Sequence, residues 1–154
     1  MVNLVSINQK CQYALRALFE LAVKNSGEPC KIDAVAEAQR IPVRFLENIL
    51  NNLKSGGFVS SSRGKDGGYS LAKPASDITV GEVIRFVQGP FAPVECVAPG
   101  NDLCAFSDDC VFHPLWEKAR IALEQVYDGT TLADLVNEQK KRAALCAGCK
   151  KNNQ

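Results

Sequence analysis

Residues 42–72 constrain the fold of this 154-residue chain more than any other stretch. Pro42 suits the first turn of a helix, where its preset φ helps and its missing N–H is not needed. Leu46, Ile49, Leu50 and Leu53 then recur at helical spacing. Gly56-Gly57 supplies the left-handed residue on which many helices end. Residues 58–62 and 69–72 read as two short strands around Arg63-Gly64-Lys65-Asp66-Gly67-Gly68, a hairpin with a basic, glycine-rich tip.

Two helices are predicted ahead of this unit. The first opens at Ser6, which has capping-box spacing to Gln9, and ends near Asn25-Ser26-Gly27. The second runs from Asp33 to about Gln39. Thr79-Val80-Gly81-Glu82 is a further capping box, opening a helix that Gly89-Pro90 stops. Residues 89–112 are rich in proline, glycine and cysteine and lack periodicity, so a loop is predicted there. A long helix then starts at Pro114 and breaks at Asp128-Gly129, and Thr131 caps one more that runs into the C-terminal tail. The predicted fold is mostly α with a small β wing. It divides into a winged helix-turn-helix domain (1–88), a cysteine-rich loop (89–112), a dimerisation helix (113–130) and a C-terminal helix with a basic tail (131–154).

The order of three short helices and a hairpin suits DNA. The third helix has a polar side carrying Arg44, Glu47, Asn48 and Asn51. Arginine can pair with guanine and asparagine with adenine, while glutamate can accept from cytosine. A merely solvated face would carry the same residue types. At the hairpin, Arg63 and Lys65 are charged, and Gly64, Gly67 and Gly68 permit close approach to phosphate or the minor groove.

Net charge is only +1, but it is an average. Residues 1–95 carry +2, residues 96–139 carry −6 and residues 140–154 carry +5. The basic tail is expected to be solvated and mobile. No apolar run nears the roughly 20 residues of a spanning helix, and the N-terminus does not read as a signal peptide, so a cytoplasmic protein with no membrane partner is expected. Carboxylates lie on helix surfaces and no phosphate-binding loop or dinucleotide fingerprint is present, which argues against an enzyme.

In a reducing compartment, 7 cysteines beside 1 histidine point to metal or redox chemistry. Cys96, Cys104, Cys110 and His113 show the spacing C-x7-C-x5-C-x2-H. Thiolate and imidazole ligate zinc and iron–sulfur clusters. On spacing alone, metal ligands and free structural thiols both remain open. Cys11 falls on the apolar spacing of the first helix and reads as core, and Cys30 has no visible partner. Cys146 and Cys149 form a C-x-x-C pair, either a redox pair, half of a zinc site or adventitious. The long helix has a broad apolar side of Leu115, Trp116, Ala119, Ala122, Leu123 and Val126, more than so short a chain easily buries, which suggests a homodimer.

The chain resembles the winged-helix regulators of the IscR/NsrR/CymR family. Tyr13-Ala14-Leu15-Arg16-Ala17-Leu18, the run from Phe45 to Val59, Ser62-Arg63-Gly64-Lys65-Asp66-Gly67-Gly68-Tyr69-Ser70-Leu71-Ala72 and Ile78-Thr79-Val80-Gly81-Glu82-Val83-Ile84 carry the resemblance. It implies a homodimeric transcription factor on a pseudo-palindromic double-stranded DNA operator. The third helix would enter the major groove, the wing the minor groove, and the long helix would cross its mate. The resemblance also implies an iron–sulfur cluster held by Cys96, Cys104 and Cys110, which need not survive purification. His113 matches the fourth ligand of IscR-like members. Gln12 stands where NsrR-type members carry a carboxylate, so [2Fe-2S] is favoured over [4Fe-4S]. Seven residues separate Cys96 from Cys104 where those relatives have five, a difference that costs little closure entropy. Two alternatives keep the DNA-binding fold without a cluster: a cysteine thiol/disulfide switch, or input from a partner protein.

Overall fold

The computed structural model describes residues 6–24, 28–101, 106 and 109–149, the last three without their side chains. Six helices are described: α1 (Gln9–Val23), α2 (Ile32–Gln39), α3 (Val43–Ser55), α4 (Val80–Gln88), α5 (His113–Asp128) and α6 (Leu132–Cys149). Strands β1 (Val59–Ser62) and β2 (Gly68–Leu71) pair antiparallel, with Val59 opposite Leu71 and Ser62 opposite Gly68. The predicted class, mostly helical with a two-stranded wing, is the observed one.

The core forms where α1, α2 and α3 meet. Leu18 of α1, Val35 of α2 and Leu46, Leu50 and Leu53 of α3 are wholly buried. Each buried leucine contributes about 1.5–3 kcal/mol of transfer free energy. Phe58, Ile78, Val83 and Leu132 extend this core to the wing, α4 and α6. Glu20 is the one buried charged residue among those described. It accepts from Gln39 Nε2 at 2.7 Å and pairs with Lys24 at 3.2 Å, so its charge is compensated.

Two helix starts differ from expectation. Asn8, not Ser6, caps α1, and its side chain accepts from the Cys11 amide at 2.8 Å. The Gln88 side chain accepts from Asn8 N–H at 3.1 Å and donates to the Ser6 carbonyl at 3.3 Å, so residues 6–8 stay outside the helix. Pro42 occupies the cap of α3 rather than its first turn, with ψ 129°. Arg40 closes α2 in the left-handed region at φ 51°, and Gly57 does the same after α3 at φ 74°.

The helix that opens at Thr131 runs into the basic segment after residue 139. Helix α6 carries it as far as Cys149. Alanine, leucine, lysine and arginine dominate there, all strong helix formers, and Glu138 pairs with Arg142 one turn on at 2.9 Å. A reciprocal cap starts the helix: Asp134 N–H donates to Thr131 Oγ1 at 3.1 Å, and Thr131 N–H donates to Asp134 Oδ2 at 2.9 Å. That backbone hydrogen bond holds the Asp134 carboxyl below its usual range. No helix among the described residues is long and apolar enough to cross a membrane.

The wing is tied down at its base. Cys30 and Tyr69 exchange backbone hydrogen bonds of 2.7 and 2.9 Å, so the loop before α2 pairs beside β2. A Cβ on Gly68 would stand 2.5 Å from the Cys30 carbonyl oxygen. Gly68→Ala is therefore expected to cost about 1–3 kcal/mol, as overpacking does. Thermal denaturation should show a Tm lower by about 2–4 °C per kcal/mol; an unchanged Tm would contradict the close approach.

Candidate nucleic-acid interface and sensor loop

The leucine stripe of α3 decides which side of that helix is free. With Leu46, Ile49, Leu50 and Leu53 buried, Arg44, Glu47, Asn48 and Asn51 all lie exposed on the opposite face. Arg44, Asn48 and Asn51 follow one another at spacings of four and three residues, one continuous row. Phe45, 60% exposed, flanks this row and lines a depression between α1 and α3 with Gln9, Lys10 and Tyr13. Phe45 is a residue the sequence reading missed; an aromatic side chain among polar neighbours was its signal. Lys54 was missed too. Its Nζ donates to Ser61 Oγ at 2.6 Å and fixes the wing strand against the end of α3.

At the wing tip, Arg63, Gly64 and Lys65 are exposed. Lys31 Nζ donates to the Lys65 carbonyl, bringing a further cation to the tip. Among the described residues, no ion pair engages Arg44, Arg63 or Lys65. Gly67 is buried and donates to the Gly64 carbonyl at 3.0 Å. Its Cβ would meet the Ser62 carbonyl oxygen at 2.4 Å. Gly67 and Gly68 thus shape the hairpin from inside, while Gly64 lies at its surface.

In the loop, Cys96 sits half-buried on a short 3-10 turn (Glu95–Val97), within a small apolar cluster of Ala92, Val97, Ala98 and Trp116. Cys110 is half-buried, and its carbonyl accepts from the His113 N–H at 3.2 Å. Cys104 lies outside the described residues. Among the described residues, no three or more His, Cys, Asp or Glu side chains gather closely enough to hold a metal ion. The donor chemistry of the loop still fits a cluster. Two thiols and an imidazole flank one segment, and apolar groups around Cys96 would limit water. Gln12 donates from Nε2 to the Ile7 carbonyl at 2.7 Å. Cys11 is wholly buried, and burial pushes its thiol up to about 11, which keeps it protonated at neutral pH and unsuited to ligation.

Helix α5 has two apolar faces, where the sequence suggested one. Leu115, Ala119, Ala122 and Val126 form a stripe at helical spacing, with Leu115 53% and Val126 63% exposed. Trp116 and Leu123 lie about 100° around the helix from that stripe. They pack within their own chain, Trp116 on the loop cluster and Leu123 beside Cys11, Ile84 and Phe91. Arg120 clasps Glu117 at 2.5 Å and Glu124 at 2.6 Å, and its hydrogen bond holds the Glu117 carboxyl below the usual range.

The two ends of α5 are held by different parts of the chain. Its C-terminal end is anchored on α4. Arg85 pairs with Asp128 through bonds of 2.6 and 3.1 Å, and Tyr127 meets Phe91 edge-on at 5.3 Å. Gly81 of α4 comes so close that a Cβ would fall 1.9 Å from Asp128 Oδ1. The N-terminal end begins at His113, directly against the loop, with Trp116 stacked on Phe112 at 6.3 Å.

A family model described as Rrf2, iron-dependent transcriptional regulator, matches residues 7–138. The HTH-type transcriptional regulator IscR of Escherichia coli is 35% identical over 134 residues, 87% of this chain and 82% of that protein. Among solved structures, CymR, the global cysteine regulator of B. subtilis, superposes with a TM-score of 0.74 at 32% identity, over 88% of this chain and 98% of that one. IscR of T. potens gives a TM-score of 0.74 at 31% identity, over 90% of each chain. These relatives are regulators of transcription rather than enzymes.

The anchor of α5 can be measured. A double-mutant cycle on Arg85→Ala and Asp128→Ala should give a coupling of about 0.5–1 kcal/mol, because both side chains are partly exposed, and high salt should shrink it. No coupling at low salt would mean that the pair does not hold the helix end.

Proposed function

We propose a function from a fixed premise: the chain belongs to the Rrf2 family of transcriptional regulators. The proposal is a homodimeric DNA-binding regulator whose affinity for its operator follows the state of the Cys/His loop. One observation carries it. Helix α5 starts on that loop and ends clamped to α4 of the DNA-binding domain, so a change at one end is felt at the other.

The exposed row of Arg44, Asn48 and Asn51, with Glu47 beside it, is of a size and chemistry to read base edges in the major groove. Phe45 adds an apolar contact suited to a thymine methyl. Arg63 and Lys65, with Lys31 behind them, would meet phosphates or the minor groove, and Gly64 lets the backbone approach. Gly67 and Gly68 would act by holding the hairpin in shape.

The dimer contact is assigned to Leu115, Ala119, Ala122 and Val126, the face that the chain itself leaves uncovered. The two alanines permit close approach of a second helix, and a two-fold pair would present two reading helices to a pseudo-palindromic site. Trp116 and Leu123 would support that helix from behind.

For the loop, the reading is a [2Fe-2S] cluster held by Cys96, Cys104, Cys110 and His113. When bound, such a group would supply one-electron redox chemistry and reactivity toward nitric oxide. The residues would do the rest. His113 is the first residue of α5, so ligation there would fix where the helix begins. Trp116 would keep the packing around Cys96 dry. A change in the loop would then shift α5 and the separation of the two reading heads. A second reading is a thiol switch at Cys96, Cys104 or Cys110, supported by the structural likeness to Staphylococcus aureus CymR, which has been solved in an oxidised form.

Anaerobic purification with iron and sulfide analysis separates the two readings. The cluster reading predicts iron and sulfide in similar amounts with visible absorbance. Neither iron nor absorbance after reconstitution would leave the thiol switch. On DNA, Arg63→Ala should weaken binding about evenly across sequences and lower the salt slope by about 1. Arg44→Ala should cost about 1–3 kcal/mol and relax preference at one base pair. Binding that ignores salt would overturn the wing assignment.

A further inference from the structure

Beyond the three loop cysteines, α6 carries a cysteine pair, Cys146 and Cys149, with no part in the loop chemistry. Helix α6 continues through Cys149, which places positions 146 and 149 on the same side, one turn apart. Cys146 is exposed and not in a disulfide. The surroundings are open: Arg142 and Leu145 are exposed, the latter 71%. They are also uniformly basic. Lys140, Lys141 and Arg142 precede the pair, two lysines follow it, and residues 140–154 hold no acidic residue.

The pair is Cys-Ala-Gly-Cys in the last described turn of α6. In a regular helix, Cβ atoms three residues apart stand roughly 5–6 Å from each other. A disulfide needs about 3.5–4.5 Å, so closure requires that turn to loosen. One residue favours loosening: Gly148 is among those least suited to helical conformation and freest to leave it.

We propose that Cys146 and Cys149 form a dithiol switch, oxidised by an anionic low-molecular-weight disulfide such as oxidised glutathione, and that closure unwinds the last turn of α6. The thiolate of Cys146 attacks one sulfur of the oxidant, giving a mixed disulfide and releasing one small thiol. The thiolate of Cys149 then attacks the Cys146 sulfur, forming the protein disulfide and releasing the second small thiol. The two protons lost by the protein thiols end on the two small thiols, and the two electrons lost by the protein reduce the oxidant. The basic surroundings favour an oxidant that carries net negative charge.

The chain provides its own reporter. Trypsin cutting after Arg142 and Lys150 releases a peptide of residues 143–150, which contains both cysteines and no others. Full-length protein is kept anaerobic, titrated with oxidised glutathione, quenched in acid, alkylated and digested. The proposal predicts that this peptide becomes two hydrogens lighter and resists alkylation as oxidant rises. Circular dichroism should report the loss of about one helical turn. Cys149→Ser should block closure and leave Cys146 as a stable mixed disulfide. Three results would overturn the proposal: both cysteines remaining alkylatable at every oxidant concentration, the peptide appearing only as a cross-link to a second copy of itself, or its appearing only joined to a loop peptide.

Discussion

The burial of one stripe of α3 fixes both the core and the surface that matters. Leu46, Leu50 and Leu53 lose all contact with solvent, and Ile49 nearly all, against α1 and α2. Rotating α3 to expose any of them would forfeit about 1.5–3 kcal/mol per side chain. That penalty points Arg44, Asn48 and Asn51 outward in one row. The same helix ends on left-handed Gly57, and its Lys54 reaches the first wing strand, so the hairpin leaves at a set angle. Helix α3 and the wing are thus held together by hydrophobic burial, a glycine turn and a lysine–serine hydrogen bond.

Helix α5 is built on a different principle. None of its residues is fully buried, and its attachments are concentrated at the two ends. Asp128, Tyr127 and Leu123 fasten it to α4 and the start of α1, while His113 and Trp116 meet the loop. A rigid helix held at its ends transmits displacement better than one embedded along its length. Its outer stripe of Leu115, Ala119, Ala122 and Val126 stays uncovered by its own chain.

Much of this was legible in the sequence where the signals are local. The leucine spacing of α3, the double glycine, the hairpin and the Thr79 and Thr131 caps each depend on residues within a few positions, and each appears in the structure. What escaped depends on partners far along the chain. Asn8 takes the cap from Ser6 because Gln88, 80 residues away, holds the preceding turn. Gly68 is required by the Cys30 carbonyl, and Asp128 is held by Arg85, 43 residues away. Trp116 and Leu123 share the apolar character of the outer stripe of α5, so composition alone could not divide one face from the other. Glu138 and a run of strong helix formers carry α6 to Cys149, as local propensity leads one to expect.

The central proposal is that the Cys/His loop sets DNA affinity through α5. The most direct measurement compares the Kd of cluster-loaded and cluster-free protein for one duplex at one salt concentration. The predicted result is a difference of roughly tenfold or more, the scale of an ordinary coupling free energy. Equal affinities in the two states would contradict the claim.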